Sequence, residues 1–450
     1  MDTPATRLTA ADALLWDIEG DPCLRTTIVA VSILDRTPDW QRFTRRISEL
    51  CDAVPRLRQR VVETPLRLAS PRWQTVQVDL TYHVRRVQAP GRADQRAVLD
   101  IAGPIAMSAF DRERPLWEFT LVEGLQGGQA ALIQKFHHSL TDGVGAVQLA
   151  ELLLDHSRRG RRRTPSTADV VRPVGTSVLG SLLGPLPGLI LGSLLDPPRL
   201  LTTTTKQLRS IGKLLAPVAK PLSPAMTERG LSRRLDSFDI PLDHMLAAAH
   251  AAGGTLNDAF LAGIAGGMQR YHDRHGVAVA GLRVTMPINM RKPGDPAGSN
   301  HFVPARFTLP TSATNAADRM HQIGELARGW RREPALPFAD AIAAALTRLP
   351  RAATITVFGG MLKAVDFVAT NVPGLHDRAF LAGAEVVRQY AFAPPSGAGL
   401  SIALLSHVDQ CCVGINIDTA AVPDPDLMTA CLRAGFDEVT ALGGAACMIA

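Results

Sequence analysis

Residues 135–143, KFHHSLTDG, set two adjacent histidines, His137 and His138, just ahead of Asp142 and Gly143. QAALIQKFHH (129–138) reads as a strand, and GVGAVQLAELLLD (143–155) as a helix with Leu149, Leu152 and Leu153 on one face. The stretch is therefore a strand–loop–helix corner, where side chains can reach a cleft. Neighbouring residues of a strand point to opposite faces, so one histidine faces the cleft and the other packs into its domain. Taken alone, the corner does not make a site. A histidine at a strand end is most often a satisfied polar residue, and Asp before Gly is a common cap or turn.

Working outward, PLWEFTLVEGL (115–125) forms a hairpin with the histidine strand across Gly127-Gly128. Upstream lie a helix over 8–19, with Asp12 and Asp17 facing outward, a β-branched strand over 26–34, a helix over 39–53 and a strand over 57–63. Downstream, 241–276 holds two helices broken at Gly253-Gly254, with Thr255 as N-cap of the second. Strands follow at 281–288 and 301–309, a helical stretch at 314–363, strands at 366–372, 385–392, 399–408 and 411–418, and a last helix from Asp424 to Leu442. Strands and helices mix without strict βαβ alternation, so the fold class is mixed α/β (α+β-like) in two domains. The divisions are 1–155, a linker over 156–235, and 236–450. A chain of 450 residues is too long for one ordinary core, which agrees.

Charge is unevenly spread. Residues 156–234 hold 14 Lys and Arg against three acids, so this segment carries +11 in a chain of net charge +6, and the remainder is acidic. It opens with the arginine-rich SRRGRRRTPSTAD and continues with the uncharged VGTSVLGSLLGPLPGLILGSLL (174–195). Pro185 and Pro187 interrupt that run, which disfavours a membrane-spanning helix. It reads either as a surface linker with an apolar patch or as a shallow hairpin in a bilayer interface, its arginines on anionic headgroups. The N-terminus lacks a secretory pattern. The six cysteines form no C-x-x-C pair and no zinc spacing, which fits a reduced compartment and no metal site. Three Tyr and five Trp are too few for base-stacking platforms, so nucleic acid is not an expected partner.

The string H-H-x-x-x-D-G (His137 to Gly143) resembles the signature of the acyltransferases that include chloramphenicol acetyltransferase, plant alcohol acyltransferases and peptide-synthetase condensation domains. RLTAADALLWDIE, RPLWEFTLVEGL, GGTLNDAFLAGIAGGMQRY, MPINMR, ATNVPG and AGLSIALLSHVDQCCVGINIDTAAVPDPDLM, in that order, together resemble bacterial wax ester synthase/diacylglycerol acyltransferases, from about Arg7 to Glu438. The resemblance implies two chloramphenicol-acetyltransferase-like domains with the active-site channel between them. It also implies acyl transfer from acyl-CoA to diacylglycerol, giving triacylglycerol, or to long-chain alcohols, giving wax esters. By resemblance His138 is the general base and His137 shapes the corner, with Gly143. Asp142 pairs with an arginine, for which Arg291 is the candidate, rather than serving as a relay carboxylate. Asn257 contributes to oxyanion binding or supports the site beside Asp258, although both also suit a first helical turn. Pro115, Leu116 and Trp117 are core and channel lining, and Asn371 lies near the cleft.

A thioester needs no metal activation, so the implied cofactor list is empty, with acyl-CoA as co-substrate. The implied location is the cytoplasm, peripherally on the inner face of the membrane or on lipid bodies. Neither a G-x-S-x-G elbow nor a G-x-x-x-x-G-K-[ST] loop is present, which counts against an α/β-hydrolase and a P-loop enzyme. Acyl or peptide transfer to another acceptor, and a catalytically weak lipid-binding or droplet-coating protein, are the competing readings.

Overall fold

The computed structural model describes residues 6–64, 69–160, 220–289, 302–311, 315–331 and 339–447. In chain order the N-terminal strands are β1 (Thr27–Leu34), β2 (Gln59–Val62), β3 (Arg72–Thr75), β4 (Val84–Gln88), β5 (Trp117–Glu123) and β6 (Ala130–His137). Then follow β7 (Arg233–Pro241), β8 (Gly281–Asn289), β9 (Phe302–Pro310), β10 (Phe367–Val372), β11 (Phe380–Leu381), β12 (Ala384–Phe392), β13 (Leu400–His407) and β14 (Gln410–Asp418). The longer helices are α1 (Ala10–Ile18), α2 (Trp40–Ala53), α3 (Gln95–Met107), α4 (Gly143–Leu153) and α5 (Leu242–Ala251). They continue with α6 (Leu256–Arg274), α7 (Ala316–Arg331), α8 (Ala339–Leu346) and α9 (Pro425–Cys447).

Two six-stranded sheets carry the fold, in the orders β11-β12-β1-β6-β5-β4 and β7-β14-β13-β10-β8-β9, while β2 and β3 form a separate hairpin. In the first sheet only β4 and β5 run parallel; in the second, β10 runs parallel to both neighbours. β6 is buried at every position and β1 at all but one, because both lie inside the sheet with packed layers on each face. Even-numbered β6 residues such as Leu132 and Phe136 join a core with Phe43 of α2 and Leu149 of α4. Odd-numbered Ala131 and Ile133 join another with Val98 and Ala102 of α3. That second core also takes Leu235 of β7 and Cys412 of β14, so it ties the two sheets together.

The sheets do not follow the 1–155 and 236–450 division. β11 and β12, from the C-terminal half, complete the first sheet, with β12 pairing β1 from Val29↔Phe392 to Leu34↔Val386. There β12 crosses the second sheet so closely that a Cβ on Gly414 would overlap the Ala391 carbonyl oxygen. The outward orientation read for Asp12 and Asp17 is corrected: they are 8% and 1% exposed. Leu14 and Ile18 of α1 pack with Ala343 and Leu346 of α8, and Arg351 stands 3.4 Å from Asp17. A contact across more than 300 residues turned a face that looked solvated into a buried one. Most of the 156–235 linker, with its apolar run and most of its arginines, lies outside the described residues.

Candidate active site

Two strand ends converge at the corner. β6 ends at His137, whose amide donates to Leu116 O at 3.1 Å; the next amide, of His138, donates to Thr26 O at 3.1 Å. The chain turns through Ser139, Leu140 and Thr141, and Asp142 starts α4 as its N-cap, Oδ1 accepting from Gly145 N–H at 2.7 Å. Gly143 then meets the second sheet. A Cβ there would stand 3.1 Å from Val372 Cγ2 at the end of β10, tighter than ordinary contact. Beyond Val372 the chain runs through Gly374, whose N–H donates to Ser406 Oγ at 3.0 Å, and Leu375 joins the first core. The carboxyl end of a parallel strand in one sheet is thereby laid against the histidine corner of the other.

The two histidines have different surroundings. His137 is 1% exposed, between the rings of Trp16 (5.7 Å) and Phe110 (6.0 Å). Its Nδ1 accepts from Ser139 N–H at 3.0 Å, with Ser139 Oγ at 2.7 Å, and its Nε2 faces Glu19 Oε2 at 3.1 Å. Glu19 Oε1 accepts from Thr26 N–H at 2.8 Å and Thr26 Oγ1 at 3.0 Å. Burial alone would raise the Glu19 pKa, but His137 and Thr26 outweigh it and bring it from 4.5 to about 2.

His138 is half-buried. Burial pushes its imidazole below the ordinary value; the Asp142 charge and a hydrogen bond to its own backbone oppose this, and His137 adds to the lowering. Such a group is neutral at pH 7 and able to accept a proton.

The other residues singled out in the sequence fall as follows. Pro115, Leu116 and Trp117 are buried, the last two in the first core, with Trp117 Nε1 donating to Leu57 O at 2.9 Å and its ring stacking on His83 at 4.4 Å. Asn371 is half-buried on β10, in register with Leu404 of β13. Asp258 closes a capping box with Thr255, its carboxylate accepting from Thr255 N–H at 2.9 Å and Oγ1 at 2.8 Å. Asn257 lies in the same first turn of α6, its Nδ2 3.9 Å from Met286 Sδ on β8, the strand beside β10. Arg291 lies outside the described residues. Among the described residues no three His, Cys, Asp or Glu side chains converge as a metal site.

Glu19, Thr26 and Ser139 were given no role in the sequence reading. The signal for Thr26 was latent in strand pairing: with β1 antiparallel to β6 and Thr27 opposite His137, the residue before β1 must sit beside the residue after β6. Glu19 closes the RLTAADALLWDIE string as C-cap of α1, but nothing in that string shows that the helix end reaches the corner.

Solved structures of an acyltransferase and of condensation domains share this two-sheet fold. A wax ester synthase/diacylglycerol acyltransferase from Marinobacter aquaeolei VT8 matches with a TM-score of 0.67 and 22% identity, over 98% of this chain and all of that one. A starter condensation domain of rhizomide synthetase, solved in complex with C8-CoA, matches with a TM-score of 0.63 at 15% identity, over 98% and 95%. The wax ester synthase/diacylglycerol acyltransferase catalytic-domain model matches residues 8–260, and the C-terminal-domain model of the same family matches 298–440. A Mycobacterium tuberculosis protein carrying a provisional diacylglycerol O-acyltransferase name is 37% identical over 96% of this chain and 91% of its own length. The chain belongs to the wax ester synthase/diacylglycerol acyltransferase family.

Proposed function

We propose that this protein transfers the acyl group of an acyl-CoA to the hydroxyl of diacylglycerol or a long-chain alcohol, forming triacylglycerol or a wax ester. The observation that carries the reading is His138: a half-buried imidazole, its pKa pushed below the ordinary value by burial, at the corner where α4 meets the end of β10. Its role follows from elementary chemistry. An alcohol is a poor nucleophile at neutral pH. As its oxygen attacks the thioester carbonyl, His138 accepts the hydroxyl proton, and the tetrahedral oxyanion forms. The C–S bond then breaks and the proton passes to the departing thiolate, leaving ester and free CoA thiol. No cofactor enters this balance. Asn257 is the proposed donor to the oxyanion, because among the described residues its amide N–H faces a thioether, a weak acceptor that a negative oxygen would displace.

The test compares wild type with His138→Ala on palmitoyl-CoA with dioleoylglycerol or hexadecanol, following thiol release. Loss of a general base lowers kcat by about 10²–10⁴-fold. No thiol release from wild type with either acceptor would remove this reading.

Peripheral attachment to anionic membrane or lipid-body surfaces is the second part of the proposal, and it rests on the basic, apolar composition of 156–235. Among the described residues no helix is long and apolar enough to cross a membrane. Arg158 is engaged with Asp35 and Glu385 at 2.6 and 3.1 Å, so a deletion of 161–200 spares these contacts at the start of the segment. That deletion should abolish co-sedimentation with anionic liposomes. Undiminished binding would assign attachment elsewhere.

A further inference from the structure

Glu19 holds the histidine corner from two sides. Its carboxylate has two acceptor oxygens in use at once. Oε2 faces His137 Nε2 at 3.1 Å, and Oε1 takes Thr26 N–H at 2.8 Å. The same Thr26 residue, through its carbonyl, accepts the His138 amide at 3.1 Å. The tautomer of His137 follows. A backbone N–H can only donate, so the Ser139 N–H at 3.0 Å requires His137 Nδ1 to be the bare nitrogen. The ring proton then sits on Nε2, aimed at Glu19. One carboxylate, only 11% exposed, thus holds the side chain of His137 and also Thr26, the residue whose carbonyl takes the His138 amide in the β1–β6 pairing.

We infer that Glu19 is a positioning residue for the acyl-transfer site, a clamp that sets the His137 tautomer directly and the His138 backbone through Thr26. The inference rests on the proposed role of His138 for its catalytic consequence, but the clamp itself is a statement about protons and geometry. It also explains why only a carboxylate suits this place. Glutamine has the same shape but one acceptor and one donor group, so it can satisfy the Thr26 N–H or the His137 Nε2–H, never both. A donor left facing a donor in a buried site pushes the two rings' supports apart.

Two measurements test this. In protein labelled with ¹⁵N-histidine, long-range ¹H–¹⁵N correlation, assigned by the signals missing in His137→Asn, should show the Nε2–H tautomer for His137 in wild type. Glu19→Gln should mix or reverse it. In kinetics, Glu19→Gln should lower kcat by about 10²-fold, the scale expected of slight misplacement of a reacting group. The KM for acyl-CoA should stay within about three-fold, because ground-state binding is untouched. An Nδ1–H tautomer in wild type, or a folded Glu19→Gln with wild-type kcat, would overturn the clamp. Should Glu19→Gln fail to fold, the wild-type tautomer decides alone. A wild type without any thiol release overturns the acyl-transfer reading instead and leaves the clamp to the tautomer measurement.

Discussion

His138 combines two opposing influences, burial pushing its pKa down and the Asp142 charge pushing it up, with burial the larger. The sign for activity follows. The neutral imidazole is the working form, so a lowered pKa keeps the base active further into acid. The acid limb of kcat/KM should have its midpoint below the free-imidazole value of ~6.5. Asp142→Asn keeps a good N-cap for α4, since Asn caps as well as Asp. It removes the opposing charge, so the midpoint should move further toward acid, as a pH–rate profile measures; a move toward alkali would contradict the assignment of causes. At this scale the sequence was legible where a local string carried the chemistry, as in His137 to Gly143. It was silent on Glu19, whose partner lies 118 residues away across a strand pairing.

Among elements, the corner depends on how closely β10 approaches α4. Gly143 leaves room for Val372 to pack against the first turn, with its absent Cβ 3.1 Å from the valine methyl. Gly143→Val should force the two apart, destabilising the protein by about 1–3 kcal/mol. It should lower kcat beyond what the loss of folded protein accounts for, as urea unfolding and thiol release together would show. Wild-type turnover in Gly143→Val would mean that the β10 contact does not shape the site. Element types were largely readable here. The β-branched run of β1 and the glycine pair between β5 and β6 signalled strands and a hairpin without tertiary information. The outward reading of Asp12 and Asp17 failed because amphipathicity records only which face is apolar. It does not record that Arg351 arrives from 334 residues away to pair with Asp17.

Across the molecule, the division into consecutive domains was the part least visible in sequence. Local periodicity identifies β12 as a strand but carries no information on which sheet receives it. Its inclusion beside β1 makes the first sheet a composite of both halves. Residues 6–160 expressed alone should therefore lack cooperative unfolding by circular dichroism, and co-expression with 220–447 should restore it. A stable isolated fragment would show that β12 is dispensable to the first core.

The same strand exchange sets a timetable for synthesis. β1 pairs with β6 once that strand has emerged, and then presents a row of unsatisfied amides and carbonyls on its other side until β12 is complete, from His137 to Phe392 along the chain. At a synthesis rate of about 5–20 residues per second, that edge stays open for on the order of tens of seconds. An open, apolar strand edge is a template for intermolecular pairing. Yield in a heterologous host is accordingly expected to depend on chaperone supply during translation more than on the stability of the finished fold.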